Sequence, residues 1–211
     1  SAEEAEVIAL LLRQTLETDG KTSALVTPDR ALARRVAAAL RRWGVEIDDS
    51  AGEPLLASAP GGFLRLCALM VISDFAPIAL LSALKHPLAS CGQSPAAFRA
   101  GVRTLERLLL RGPRPGPGVA GLRAAFDASK SNLDENSQAI ILEILDEIEH
   151  RTAPFTARLE DPSASFGVLL DAHIEMAEAL AVTDEEAGAA RLWANEAGES
   201  SAGFVAQLRE A

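Results

Sequence analysis

Regularly spaced arginines are the residues of this 211-residue chain whose type and pattern could do chemistry. Four of them recur every fourth residue and a fifth follows in the next loop: Arg99, Arg103, Arg107, Arg111 and Arg114. Four-residue spacing keeps side chains on one slowly rotating face of a helix. Each guanidinium can donate two parallel hydrogen bonds to one phosphate group. The pattern predicts either a row of phosphate contacts or a solvated helix face that Glu106 partly balances.

Motifs for catalysis are missing from the sequence. It contains neither G-x-x-x-x-G-K-[ST] nor G-x-G-x-x-G, the glycine-rich patterns that hold nucleotide phosphates. The three histidines stand alone and lack metal-ligand spacing, so capping or core roles are expected for them. The two cysteines also lack such spacing and are expected to be reduced cytoplasmic thiols. We therefore expect no enzymatic activity, no metal and no cofactor for this chain alone.

The net charge of −10 is distributed unevenly along the chain. Residues 1–50 carry a net charge of −2, residues 51–124 carry +5, and residues 125–211 carry −13. Local charge decides what a surface attracts, so any contact with a polyanion is expected within the first 124 residues. No apolar run approaches the roughly 18 residues of a membrane span, and the acidic start is unlike a signal peptide. A cytoplasmic protein without membrane contact is the resulting expectation.

Periodicity and capping residues predict a mainly helical chain with a small α/β portion. Short strands are expected at Ala24–Val26 and Val45–Asp48, paired in parallel and joined by a helix that Thr27 or Asp29 caps and Gly44 ends. The other expected helices cover residues 3–17, 62–73, 77–85, 96–111, 122–128, 135–150, 165–182, 184–195 and 203–210. The proline- and glycine-rich residues 112–118 are expected to form a loop.

Two strands are too few for an independent sheet. Because further strands are needed to complete a sheet, the chain is predicted to contain a piece of a larger sheet domain, followed by a helical domain. The expected boundaries are residues 1–58 for a partial α/β segment and residues 59–211 for the helical domain.

Several stretches together resemble a known family. The residues "ALVTPDRALARRVAAALRRWGVEIDDSAGEPL", "GGFLRLCALM", "LLSALKHPLAS" and "LERLLLRGPRPGPG" resemble the AddB subunits of bacterial helicase-nucleases that process DNA double-strand breaks. The order of elements is similar to the second RecA-like domain of UvrD-type superfamily 1 helicases, running into its helical 2B insertion. The resemblance spans nearly the whole chain and is most specific over residues 24–118.

The resemblance implies a role in DNA repair and recombination. It implies that the full protein is a subunit of an ATP-dependent helicase and exonuclease, a hydrolase, that works with an AddA-like subunit on single- and double-stranded DNA. The nucleotide-binding region and the nuclease site of the family match nothing in this chain. The turn after the first strand, with Thr27, Arg30 and Arg34, is expected to face DNA together with the arginines of residues 99–114.

The sequence therefore favours a non-catalytic fragment that guides DNA and acts as a scaffold. A second interpretation is a helical protein-interaction module whose acidic C-terminal half docks a basic partner. Salt-dependent DNA binding separates the two, because phosphate contacts weaken steeply as salt rises.

Overall fold

The computed structural model describes residues 2–50, 52 and 54–210. The chain divides into two compact units, residues 1–53 and residues 54–211. The described residues form ten α-helices and are mainly helical: α1 (Ala2–Leu16), α2 (Arg30–Arg41), α3 (Ala59–Ile72), α4 (Pro77–Leu84), α5 (Pro95–Leu105), α6 (Gly118–Ser129), α7 (Glu135–Leu159), α8 (Phe166–Ala181), α9 (Gly188–Leu192) and α10 (Asn195–Glu210). Short 3₁₀ turns lie at Leu55–Ala57 and Lys130–Asn132, and a π-helical turn covers Glu106–Leu110.

The first unit is a pair of packed helices. Small residues of α1, Ala5 and Ala9, lie against Val36 and Leu40 of α2. The side chain of Asp29 begins α2 by accepting hydrogen bonds from the backbone N–H groups of Ala31 and Leu32, at 2.8 and 3.1 Å. These bonds favour the ionised carboxylate and hold the pKa of Asp29 below its usual range.

The two expected strands are not formed, and this prediction was wrong. Within the described residues, no β-strand occurs, and no backbone hydrogen bond joins residues 24–26 to residues 45–48. Both segments instead line one cavity of about 640 Å³ over α1 and α2. The physical reason is that two segments of three or four residues supply too few ladder bonds to hold a sheet alone.

The second unit is built around α7, which packs against α5, α6 and α8. The core residues of α7 follow helical spacing: Ile141, Ile144, Leu145 and Ile148 are all buried. On α5, a side chain at Gly101 would approach Ile144 Cδ1 to 2.8 Å, so the missing Cβ allows close packing of α5 on α7. Helix α5, which carries the first arginines of the predicted row, is therefore packed closely against the buried side of α7.

The expected helices after residue 60 are present, with several different limits. The helix expected to end at His150 continues to Leu159, through Pro154, because Thr152 and Phe155 remain buried on its inner face. Residues 184–187 lie outside α9, since the Thr183 hydroxyl accepts from the backbone N–H groups of Glu185 and Glu186 and forms a turn. The last helix begins at Asn195 rather than at residue 203.

Candidate nucleic-acid interface

Helix α5 separates an apolar buried face from a cationic exposed one. Phe98, Val102 and Leu105 are buried in the core. The exposed face carries Arg99 and Arg103, and the same surface continues over the π-helical turn to Arg107 and Arg111. We call these four residues, together with the exposed Arg114, the arginine stripe. The structure thus places all five of these expected site residues at solvent.

The π-helical turn affects the direction of the stripe. Four residues of an α-helix rotate by about 40° more than a full turn, so side chains at this spacing drift around the axis. In the wider π turn, Arg111 N–H donates to Glu106 O, five residues earlier, at 3.0 Å. Four residues of a π-helix therefore rotate by less than a full turn. The π turn therefore counteracts the drift and keeps Arg107 and Arg111 closer to the line of Arg99 and Arg103.

The carboxylate of Glu106 is the negative charge that could cancel the stripe. Its Oε2 lies 2.6 Å from Lys85 Nζ, and its Oε1 lies 3.3 Å from Arg111 Nη2. The Lys85 ammonium and then the Arg111 guanidinium hold the pKa of Glu106 below its usual range. The charge of Glu106 is thus matched by Lys85, which directly follows α4, and by one arginine of the stripe.

Most of the stripe is unpaired, unlike many other arginines of this chain. Arg99, Arg103, Arg107 and Arg114 have no carboxylate partner within 4.0 Å among residues 2–50, 52 and 54–210. Carboxylates pair with arginines elsewhere: Arg30 with Asp49, Arg123 with Asp146 and Glu149, Arg151 with Glu147, and Arg209 with Asp171. The stripe therefore offers free guanidinium groups to an anion.

The loop that carries Arg114 is anchored at both sides. Pro115 is buried, and a Cβ on Gly121 would lie 2.1 Å from Gly116 O, which shows how closely the loop backbone lies on α6. The N–H of Gly118 donates to Asp74 O at 2.9 Å. The loop expected at residues 112–118 is thus a fixed turn over residues 112–117, with Gly118 already in α6, and it holds Arg114 at its surface.

Residues 86–93 lead into α5 and are fastened to the end of α8. The N–H groups of Ser90 and Cys91 both donate to Leu180 O at 3.0 Å, and Gly92 N–H donates to Val182 O at 2.7 Å. These bonds satisfy carbonyl groups that the end of α8 leaves without helical partners. Ser94 then caps α5 by accepting from Ala97 N–H at 3.3 Å. The start of the stripe is therefore set by the C-terminus of α8.

Two arginines complete this junction, and sequence reasoning missed both. The Arg191 side chain, 12% exposed, donates to Leu88 O at 3.0 Å, to Ser90 Oγ at 3.2 Å and to the carbonyl oxygen of Ala181. Arg151 Nη1 donates to Ala179 O at 2.7 Å. No local motif marks either residue, because their partners come from distant parts of the chain.

The expected DNA-facing turn of the first unit is mostly occupied by internal bonds. Thr27 Oγ1 accepts from Asp29 N–H at 3.1 Å. Arg30 makes two parallel hydrogen bonds to the Asp49 carboxylate, at 3.0 and 2.8 Å. Arg34 is exposed and makes no ion pair within the described part of the chain. Thr27 and Arg30 share the cavity lining, whereas Arg34 lies outside it. Of these three residues, Arg34 alone offers a free charge.

His86 and both cysteines are held in contacts within the fold. His86 stacks on Phe63, with ring centroids 5.0 Å apart, and its Nδ1 accepts from Leu88 N–H at 3.3 Å. Cys67 and Cys91 are buried free thiols, and burial raises the pKa of both, that of Cys91 to about 12.

Over residues 2–50, 52 and 54–210, no three His, Cys, Asp or Glu side chains lie close enough together to hold a metal ion. None of the described helices combines the length and apolarity needed to cross a bilayer.

His173 predicts a pH dependence of stability. Its Nε2–H donates to Leu64 O at 2.9 Å, its ring lies 5.4 Å from that of Phe155, and burial lowers its pKa. In the folded protein the His173 ring therefore stays neutral at a pH where the same ring in the unfolded chain, with the ordinary histidine pKa near 6.5, already binds a proton. Stability must fall as pH decreases below about 6.5, by up to about 1.4 kcal/mol per pH unit for this residue.

Replacing His173 by Gln should reduce this loss of stability as the pH falls below about 6.5, the ordinary pKa of histidine. The measurement is urea unfolding at a series of pH values. His150→Gln, at an exposed position, is the control and should leave the slope unchanged. An unchanged slope in the His173 variant would contradict the prediction.

Comparison of the chain with family models finds no match. Comparisons with curated proteins and with solved structures also find none.

Proposed function

We propose that this chain is a non-catalytic, DNA-guiding and scaffolding part of a helicase-nuclease subunit that repairs double-strand breaks in the cytoplasm. The resemblance to AddB subunits suggests the family, and an AddA-like subunit would be the protein partner. ATP hydrolysis and nuclease chemistry would belong to other parts of the assembly. Residues 24–26 and 45–48, which form no strands by themselves, would become part of a RecA-like sheet whose other strands come from the rest of the subunit and cover the cavity.

One observation carries the DNA-binding part of the proposal. Arg99, Arg103 and Arg107 are exposed along one helical face, Arg114 is exposed in the loop that follows, and no carboxylate in the described residues pairs with them. Leaving several guanidinium groups unpaired on one side is electrostatically unfavourable unless an anion neutralises them. A nucleic-acid backbone supplies phosphates in a row, without any requirement for base sequence. The stripe fits non-specific contact with such a backbone.

The test is a salt titration of binding to one labelled duplex and one labelled single strand. We expect weak affinity, with a dissociation constant of roughly 10⁻⁴ to 10⁻⁶ M at physiological salt. Log affinity should fall linearly with log salt, by about 0.9 for each phosphate contacted on duplex DNA. Replacing Arg103 and Arg107 together by Ala should reduce this slope by about two, because two phosphate contacts are lost.

Two control proteins make the measurement specific. Arg103→Lys with Arg107→Lys keeps both charges and should keep most of the slope. Arg65→Ala with Arg158→Ala removes two exposed charges outside α5 and should leave the slope unchanged. If both alanine pairs changed the slope equally, general charge rather than the stripe would attract DNA. If neither pair changed it, the interaction module with an acidic docking surface would become the better proposal.

A further inference from the structure

Helix α1 exposes an apolar face that its own unit leaves uncovered. Its inner face, with Ala5 and Ala9, is buried against α2. On the outer face, Val7, Leu10 and Leu11 are 55%, 53% and 59% exposed. Their spacing of three and four residues puts them side by side on one surface of the helix. We call Val7, Leu10 and Leu11 the outer face of α1. Burying these apolar side chains against a partner is favourable.

The cavity of the first unit does not account for the outer face. That cavity is lined from α1 by Leu12 and Leu16, which point away from Val7 and Leu10. A sheet laid on the cavity would therefore cover Leu12 and Leu16 and leave the outer face open. The outer face needs a different occupant.

Charges on one flank of the outer face favour an antiparallel copy of the same helix. Glu6 and Arg13 are both exposed and are seven residues apart, about 10 Å along the axis. Their own contacts are loose: Glu6 lies 3.8 Å from Arg42, and the Arg13 guanidinium lies 5.1 Å from the centre of the Trp43 ring. A two-fold axis near the middle of α1 would bring Glu6 of each copy opposite Arg13 of the other.

We propose that the outer face of α1 is the interface of a symmetric homodimer, in which two α1 helices pack antiparallel. Val7 of each copy packs on Leu10 of the other, and two reciprocal Glu6–Arg13 pairs flank this contact. A parallel two-fold arrangement would place the Glu6–Arg13 flanks of the two copies on opposite sides of the contact, so neither pair would form. The antiparallel arrangement also sets the two helix dipoles in opposite directions.

The interface is small, so the dimer is weak. Helix α1 has 15 residues and is about 22 Å long, and three aliphatic side chains per copy form the contact. Such a surface lies at the low end of specific interfaces, and association at micromolar or higher concentrations is expected. Phosphate contacts of the arginine stripe play no part in this proposal.

The experiment is sedimentation equilibrium of the 211-residue protein from about 10 µM to about 1 mM, a range that covers weak interfaces. The apparent mass should rise toward twice the monomer mass. Leu10→Lys should weaken association at least tenfold. Leu16→Lys is the matched control, since Leu16 is 57% exposed on α1 but lines the cavity, and it should leave the dimer intact.

Charge reversal tests the antiparallel arrangement directly. Glu6→Arg alone and Arg13→Glu alone each place like charges opposite one another, so each variant should associate at least tenfold more weakly. A mixture of the two variants restores both opposite-charge pairs and should form a heterodimer with close to the original affinity. Circular dichroism melting confirms that each variant is folded.

Several results would overturn the proposal. In sedimentation, these are a wild-type protein that stays monomeric up to 1 mM and assemblies larger than a dimer. Among the variants, they are an equal effect of Leu10→Lys and Leu16→Lys, and a mixture of the two charge variants that does not associate.

Discussion

Replacing Arg191 by Met lowers the free energy of unfolding by about 3–5 kcal/mol, because several enclosed acceptors lose their hydrogen-bond partner at once. The guanidinium is nearly enclosed and donates to Leu88 O, Ser90 Oγ and the carbonyl of Ala181. Methionine fills similar volume but donates nothing, so these acceptors lose their partner in the interior. A buried acceptor without a partner costs about 1–3 kcal/mol. Equilibrium unfolding in urea measures the loss.

Two further variants test this explanation. Arg191→Lys keeps the charge but cannot reach the separate acceptors with a planar fork, so it should recover only part of the stability. Arg209→Met removes an exposed pair with Asp171, whose side chains are 49% and 54% exposed, and should cost less than about 1 kcal/mol. Equal losses for Arg191→Met and Arg209→Met would mean that the buried network contributes nothing beyond an ordinary surface pair.

The consequence for function follows from the position of this network. Residues 86–93 connect α4 to α5, and Arg191 fastens them to the end of α8. The arginine stripe begins five residues after Ser94, which caps α5. If the arginine stripe binds DNA as proposed, a loosened junction should weaken that binding without removing a phosphate contact, so the salt slope should stay close to that of the wild-type protein.

The helices could be predicted from the sequence because their signals are local. Asp29, one of the two residues expected to cap α2, does so through its own side chain, and Ser94 caps α5 in the same local way. The exposure of the arginines on α5 was also predictable, since it follows from helical spacing opposite Phe98 and Val102. Periodicity of three to four residues carries this information by itself.

The strands and the burial of Arg191 depend on distant contacts, which local patterns do not contain. Residues 24–26 have the composition of a strand, but a strand forms only when another strand offers backbone partners. Arg30 was expected to face DNA, and its guanidinium is paired with Asp49, nineteen residues away. Leu88 lies 103 residues from Arg191 in the sequence, so no spacing rule links them.

Replacing Gly188 by Ala should lower the free energy of unfolding by about 3 kcal/mol, at the upper end of overpacking effects. A Cβ at this position would lie 1.7 Å from Glu178 O, 2.7 Å from Glu178 C and 3.0 Å from Val182 N. All three are backbone atoms of the segment that ends α8, and backbone cannot rotate aside as a side chain can. Helix α9 must therefore move away from α8, which also pulls Arg191 from its acceptors.

Gly203→Ala is the matched control for Gly188→Ala. Gly203 lies within α10, and a Cβ there would meet no heavy atom within 4 Å. Because Ala is the better helix former, this change should stabilise the protein by about 0.5–1 kcal/mol. Opposite signs for the same chemical change would show that close backbone approach, rather than helix propensity, requires glycine at position 188. If both variants gained stability, α9 could not lie against α8 as closely as the structure places it.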